Sequence, residues 1–276
     1  MRPKQWVKNF LVLAPLLFAG EFTAGASVAK ALLAMIWFCL AASATYIFND
    51  LRDLERDKNH AVKSLQRPLA SGQLDGHHAW ILLGIICSVL LLGFFILPQV
   101  MPIIALYIGL NIAYTLVLKK QPVIDIFVIA TGFVLRIFAG AVALSVAVSS
   151  WMFVTTLCLA LFLASIKRRQ ELINSPGDTR EVLEHYSVAL INRYAEMSAT
   201  GALLFYSLYV ITAQPALVVT IPFVLFGLFR YWYVVERLGG GESPTDALVS
   251  DWQLLGTVLS WAGICAWTLS HGTGPL

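Results

Sequence analysis

The sequence predicts an all-helical, polytopic membrane protein, on three observations. The chain of 276 residues is 58% hydrophobic and 13% charged, with a mean hydropathy of +0.76, too oily for a soluble domain of that length. Apolar stretches near the length needed to cross about 30 Å of hydrocarbon recur from one end to the other. Basic residues keep to one side: of the 19 Lys and Arg, all but Lys30 and Arg136 fall around the start of the first stretch or around the end of an even-numbered one and the connection that follows it.

Nine spans are expected, in one domain covering residues 1–276: Val7 to Ala19, Val28 to Phe48, His78 to Leu97, Val100 to Leu118, Val123 to Leu144, Ser149 to Ile166, Leu190 to Thr212, Pro215 to Val235 and Trp252 to Leu269. The first has a short apolar core behind Arg2, Lys4 and Lys8. It resembles a signal peptide, but eight more spans follow, so it is read as retained. The second leads into a loop with Arg52, Arg56, Lys58, Lys63 and Arg67, and the fourth ends at Lys119 and Lys120. The sixth is followed by Lys167, Arg168, Arg169, Arg180 and Arg193, and the eighth carries Arg230 and Arg237 at its end. Cytoplasmic loops hold the excess of positive charge, which places the amino terminus in the cytoplasm and the carboxyl terminus outside.

Acids crowd the same face, with Glu21 alone clearly on the other. Acids contribute little to topology, so their gathering there points to a polar site at that face. A net charge of +3 gives no support to nucleic-acid binding. Cys39, Cys87, Cys158 and Cys265 are widely spaced within spans and read as small core residues. The histidines are scattered, so no zinc site is visible. Gly239-Gly240-Gly241 reads as a flexible turn without the context of a phosphate loop.

The most informative stretch runs from Asn49 to Asp57, directly behind the second span. At about 100° per residue, Asn49, Asp53 and Asp57 fall on one helical stripe, and Asp50 joins them at the i+3 and i+7 positions. Like charges at that spacing repel and weaken a bare helix, so a cation is expected between them, and oxygen-only ligands suit a hard ion such as Mg²⁺. A solvated acidic loop is the plainer alternative. After the sixth span, Lys167 and Glu171 share a face at i and i+4 while Arg169 turns away. Topology alone explains a run of cations; the functional reading is that Lys167 and Arg168 bind an anion, oriented by Glu171. Arg136 is the costliest charge, deep in the fifth span on the stripe of Asp125, with Gly132, Ala139 and Gly140 nearby as a face packed on other helices; a structural ion pair and a direct ligand role are both open to it.

Asn49-Asp50-x-x-Asp53-x-x-x-Asp57 followed by Arg67-Pro68-Leu69-Ala70-Ser71-Gly72 resembles the first aspartate-rich motif of the UbiA superfamily of intramembrane prenyltransferases. The resemblance covers nearly the whole chain and implies a bundle of nine transmembrane helices with a cytoplasmic-side cavity open to lipid. It also implies Mg²⁺ and a diphosphate on the motif. Where typical members carry a second Asp-x-x-x-Asp cluster, this sequence has Lys167-Arg168-Arg169-Gln170-Glu171-Leu172. That departure is similar to the decaprenyl-phosphate phosphoribosyltransferase branch, as are residues 2–9, Asp125 with Arg136, and Gly241-Glu242-Ser243-Pro244 leading to Asp251.

The resemblance implies that phosphoribosyl pyrophosphate supplies the diphosphate and that a polyprenyl phosphate in the bilayer is the acceptor. The implied catalytic group is Asn49, Asp50, Asp53 and Asp57, with Asn49, Asp53 and Asp57 holding the metal. The implied substrate ligands are Lys4, Lys8, Asn9 and Arg67 from the first half of the chain, Lys119, Lys120, Asp125 and Arg136 around the fifth span, and Lys167, Arg168, Glu171, Tyr186 and Asp251 beyond it. The sequence leaves a homo-oligomer open. A prenyltransferase acting on an aromatic acceptor and a non-catalytic transporter are the competing classes; the cationic second cluster speaks against the first, and charge gathered at one face against the second.

Overall fold

A computed structural model describes residues 3–58, 63–174, 181–237 and 244–271, and all regular structure among them is helical. A 3₁₀ segment, Pro3–Leu13, runs into a short α1 (Ala14–Phe18). Next come α2 (Gly25–Arg52), the short α3 (Leu54–Lys58) and α4 (Lys63–Gln66), α5 (Gly76–Ile96) and α6 (Met101–Leu116). The second half holds α7 (Ile124–Leu144), α8 (Ser150–Asn174), α9 (Val188–Ala213), α10 (Ile221–Arg237), the short α11 (Pro244–Ser250) and α12 (Trp252–His271).

Each expected span is helical, but they are not nine equal crossings. Five described helices are long and apolar enough to cross a membrane, namely α2, α5, α7, α8 and the segment Pro215–Arg237 that contains α10. The first expected span is mostly 3₁₀ helix, and α6 has 16 residues, about 24 Å at 1.5 Å per residue. The α9 helix is long enough but carries Arg193 and Glu196 in its first turns. The protein is an integral, multi-pass membrane protein.

Burial sorts the helices. The apolar windows of α2 and α7 are each 61% buried, whereas those of α5 and the Pro215–Arg237 segment are 22% buried. So α2 and α7 form the interior and the others turn apolar faces outward, as Leu91, Phe94 and Phe95 of α5 do. Lipid tails are as apolar as a protein core, so that exposure carries no hydrophobic cost. Ala34, Phe38, Ala41 and Ala42 of α2 recur at helical spacing and pack with Ala139 and Ala143 of α7 in the main core. Cys39 and Cys265 are buried and Cys158 is half-buried, but Cys87 is exposed on the outward face of α5, which corrects its reading as a core residue.

Polar caps mark the helix starts at one end of the bundle. Asp75 accepts from the His77 amide, Ser187 from the Leu190 amide and Asp251 from the Leu254 amide, so α5, α9 and α12 each begin on a side-chain oxygen. The 3₁₀ segment lies directly against α7 at Gly140, where a Cβ would collide with the Val12 backbone carbonyl. A backbone atom cannot swing aside. Gly140→Ala is therefore expected to cost about 1–3 kcal/mol and to lower the melting temperature in detergent; an unchanged transition would mean that the amino-terminal segment does not hold this position.

Candidate functional site

The carboxyl end of α2 brings the acidic motif to the end of the bundle from which α7 and α9 start. The stripe is kept, but not on one helix. The α2 helix ends at Arg52, Asp53 is its C-cap and Asp57 lies on α3. Backbone bonds from the Asp53 amide to the Asn49 carbonyl and from the Asp57 amide to the Asp53 carbonyl, both 2.9 Å, carry the helical register across the break. The three residues therefore stay one turn apart.

Each motif side chain has a donor. Arg67 reaches Asp50 Oδ1 at 3.2 Å and also contacts Asp57 Oδ2, so one guanidinium joins two buried carboxylates. Lys119 Nζ lies 2.7 Å from Asp53 Oδ1, and the Thr115 hydroxyl donates to Asn49 Oδ1 at 3.3 Å. Among the described residues, three carboxylates thus meet Arg67 and Lys119. Thr115 was not singled out from the sequence, although it stands four residues before Lys119 and so shares its face.

The oxygen-only donor set is the kind a hard divalent cation takes, so the residues fit such an ion in chemistry. Among the described residues, however, no group of three or more His, Cys, Asp or Glu side chains is gathered closely enough to hold one. Arg67 and Lys119 stand on the carboxylates instead.

A second network lies between the starts of α7 and α9 and the end of α8. Arg168 is fully buried: Nε donates to Asp125 Oδ2 at 2.6 Å, Nη1 to Glu171 Oε2 at 2.5 Å and Nη2 to the Tyr114 hydroxyl at 2.8 Å. The sequence reading has Glu171 orient Lys167 and Arg168, and the structure places its carboxylate on Arg168. Arg169 does turn away, to Glu236 of α10 at 2.6 Å. Lys167 is half-buried beside this network. The Tyr186 hydroxyl donates to Asp125 Oδ1 at 2.7 Å and accepts from the Val123 amide at 2.6 Å. Burial pushes the Tyr186 phenol above its ordinary range, and Asp125 adds to the shift, so it stays protonated. Lys120 reaches across the surface to Glu181 at 2.8 Å.

Arg136 is not paired with Asp125, the acid of its own stripe. It lies eleven residues further along α7, about 16 Å at 1.5 Å per residue, and neutral acceptors hold it: Asn9 Oδ1 at 2.8 Å, the Gly132 carbonyl at 2.6 Å and the Tyr107 hydroxyl at 3.2 Å. The rings of Phe38, Tyr107 and Phe133 surround its guanidinium at 5.0–5.3 Å. Asn9 is fully buried there and also donates to Cys39 Sγ. Both residues thus sit mid-bundle, and Lys8 is half-buried on the same 3₁₀ segment.

Asp251 caps α12 and holds Arg230 of α10 through two bonds, at 3.1 and 2.7 Å. Its carboxyl is held below the ordinary range by Arg230. Both of its oxygens are engaged in joining α10 to α12. The side chain of Lys4 and the residues Arg2 and Gly241-Glu242-Ser243 lie outside the described residues.

An apolar hollow lined by Pro15, Phe18, Ala141, Val146, Met152 and Tyr209 lies at the far end of α7 from Asp125. It is thus at the opposite end from the acids, where the resemblance implies a cavity. At the acid end, Arg67 and Lys119 contact the carboxylates.

Comparison with known proteins agrees with this layout. The chain is 32% identical over 284 residues to a decaprenyl-phosphate phosphoribosyltransferase of Mycolicibacterium smegmatis, covering 95% of this chain and 89% of that one. It is 33% identical over 277 residues to the protein of the same name from Corynebacterium glutamicum, covering 95% and 82%. A solved UbiA homolog from Archaeoglobus fulgidus, described as bound to GPP and Mg²⁺, superposes with a TM-score of 0.72 at 16% identity over 98% of this chain and 97% of that one. Residues 10–245 match the model of the UbiA prenyltransferase family, a range that takes in both the acidic motif and the Arg168 network, and the chain belongs to that family.

Proposed function

We propose that the protein, acting as one helical domain, transfers 5-phosphoribose from phosphoribosyl pyrophosphate to a polyprenyl phosphate and releases pyrophosphate. The observation that carries the reading is the similarity to decaprenyl-phosphate phosphoribosyltransferases over nearly the full length of both chains. The charge pattern supports it. A prenyl diphosphate has one anionic end, whereas phosphoribosyl pyrophosphate has two and its acceptor brings a third. Beyond one acidic motif, such substrates need cations, and Lys119, Lys120, Lys167 and Arg67 line the same end of the bundle. The basic residues of the flanking loops support a cytoplasmic position for that end and for the amino terminus.

Asn49, Asp53 and Asp57 are the residues that would hold Mg²⁺, with Asp50 beside them on Arg67. When bound, the ion supplies positive charge to the departing diphosphate oxygen. Arg67 and Lys119, already at those carboxylates, would supply positive charge to the phosphate oxygens bound there. The acceptor phosphate oxygen forms a bond to C1 as the bond from C1 to the pyrophosphate oxygen breaks, which inverts C1. That oxygen is anionic at neutral pH, so no side chain has to remove a proton, and the protein contributes position and charge.

The test is direct. Purified protein given phosphoribosyl pyrophosphate, polyprenyl phosphate and Mg²⁺ is expected to release pyrophosphate and form a lipid phosphoribose identified by mass spectrometry. A folded sample inert in that assay, yet active with a prenyl diphosphate and an aromatic acid, overturns the reading. Lys167→Ala is expected to raise KM for the sugar phosphate or the lipid phosphate with kcat little changed; unchanged KM for both removes Lys167 from the site.

A further inference from the structure

The backbone at Val123 adopts φ 67° and ψ −46°, and the Ile124 amide donates to the Pro122 carbonyl at 2.8 Å. These are the marks of a γ-turn of the rarer, positive-φ kind, a strained conformation. A β-branched residue is among the least suited to positive φ. Such a turn persists only where its surroundings over-determine it. Here the surroundings are identifiable. The Val123 amide donates to the Tyr186 hydroxyl at 2.6 Å, that hydroxyl donates to Asp125, and Asp125 is fixed by the buried Arg168.

The turn lies directly behind the 3₁₀ turn Leu118–Lys120, whose Lys119 contacts Asp53. The Gln121 amide bonds back to the Leu118 carbonyl and the Asp125 amide to the Gln121 carbonyl. Any relaxation at Val123 therefore moves the segment that carries Lys119.

We propose that Tyr186 is a positioning residue: its hydroxyl clamps the strained turn at Val123 and thereby holds Lys119 against the acidic motif. The side chain is buried and its oxygen is committed to Val123 and Asp125, so it acts through the turn rather than on a ligand. Strain here does useful work only in concert with the clamp. A glycine at 123 adopts positive φ without a Cβ clash and makes the clamp dispensable.

This rests on the proposed function for its kinetic arm alone; the exchange arm does not depend on it. Three variants decide the matter: Tyr186→Phe, Val123→Gly and the two combined. Tyr186→Phe is expected to speed amide hydrogen exchange in residues 117–127 and to raise KM for phosphoribosyl pyrophosphate about tenfold, in keeping with the release of one strained residue, with kcat nearly kept. Val123→Gly is expected to stay near wild type in both readouts. The double variant is expected to recover protection and KM relative to Tyr186→Phe, and recovery of folding counts equally if Tyr186→Phe alone is unstable. Wild-type exchange in Tyr186→Phe, or a double variant no better than it, overturns the proposal. If wild-type protein fails to use phosphoribosyl pyrophosphate, the functional reading falls while the exchange and rescue comparison still decides the role of Tyr186.

Discussion

Asp57→Asn and Asp53→Asn are each expected to reduce turnover by at least about 100-fold, the scale seen when one group stabilising a developing oxyanion is removed, while leaving the protein folded. The amide keeps the size and hydrogen-bonding capacity of the carboxylate and loses its charge. Folding tolerates that loss because Arg67 still has Asp50 at 3.2 Å when Asp57 is neutral, and Lys119 keeps an amide oxygen at position 53 and partial access to solvent. Catalysis is not expected to tolerate it, since a divalent ion needs the charge. Pyrophosphate release and thermal unfolding, measured on the same preparations, separate the two effects. A variant with the wild-type rate would remove that residue from the metal set. A second readout is the Mg²⁺ concentration for half-maximal rate, which is expected to rise in any variant with residual activity.

Arg168→Met is expected to destabilise the protein by about 3–5 kcal/mol, the cost of breaking a buried ion pair by removing one partner. Both carboxylates it serves sit at its guanidinium, and Asp125 and Arg168 have no exposed side-chain surface at all. Without the arginine, Asp125 is a buried carboxylate left with the Tyr186 hydroxyl as its donor. The sequence alone suggests that Arg168 is an anion ligand, and the two roles part cleanly in experiment. A ligand role predicts a folded protein with raised KM; the network predicts a lower melting temperature, partly restored when Asp125 and Glu171 are replaced together with Arg168 by apolar residues of similar volume. A folded Arg168→Met enzyme with only a raised KM would return Arg168 to the substrate.

The acidic motif was legible because its spacing is local. Asn49, Asp53 and Asp57 are four residues apart, and helical register carries them to one side even across the break at Asp53. The partners of those acids were less so. Lys119 was legible as a cation at a span end, but its contact with Asp53 joins positions 66 apart in the chain. Arg136 was legible as an expensive charge that must face the interior, whereas Asn9, Phe38 and Tyr107 of its cage come from three other elements. Nothing in the order Pro122-Val123-Ile124 marks a positive-φ turn, because a β-branched residue there is held by Tyr186, 63 positions away.

Composition, hydrophobic runs and charge placement determined by themselves that this is a helical membrane protein with its acids and cations at one face. Those properties follow from transfer of each segment out of water, which depends on the segment alone. Only the tertiary structure decided which cation meets which acid: Arg67 between Asp50 and Asp57, Lys119 on Asp53, Arg168 on Asp125 and Glu171, and Asp251 on Arg230. Such choices depend on which helices become neighbours. A charge inside a low-dielectric bundle takes whichever partner packing brings within a few ångströms.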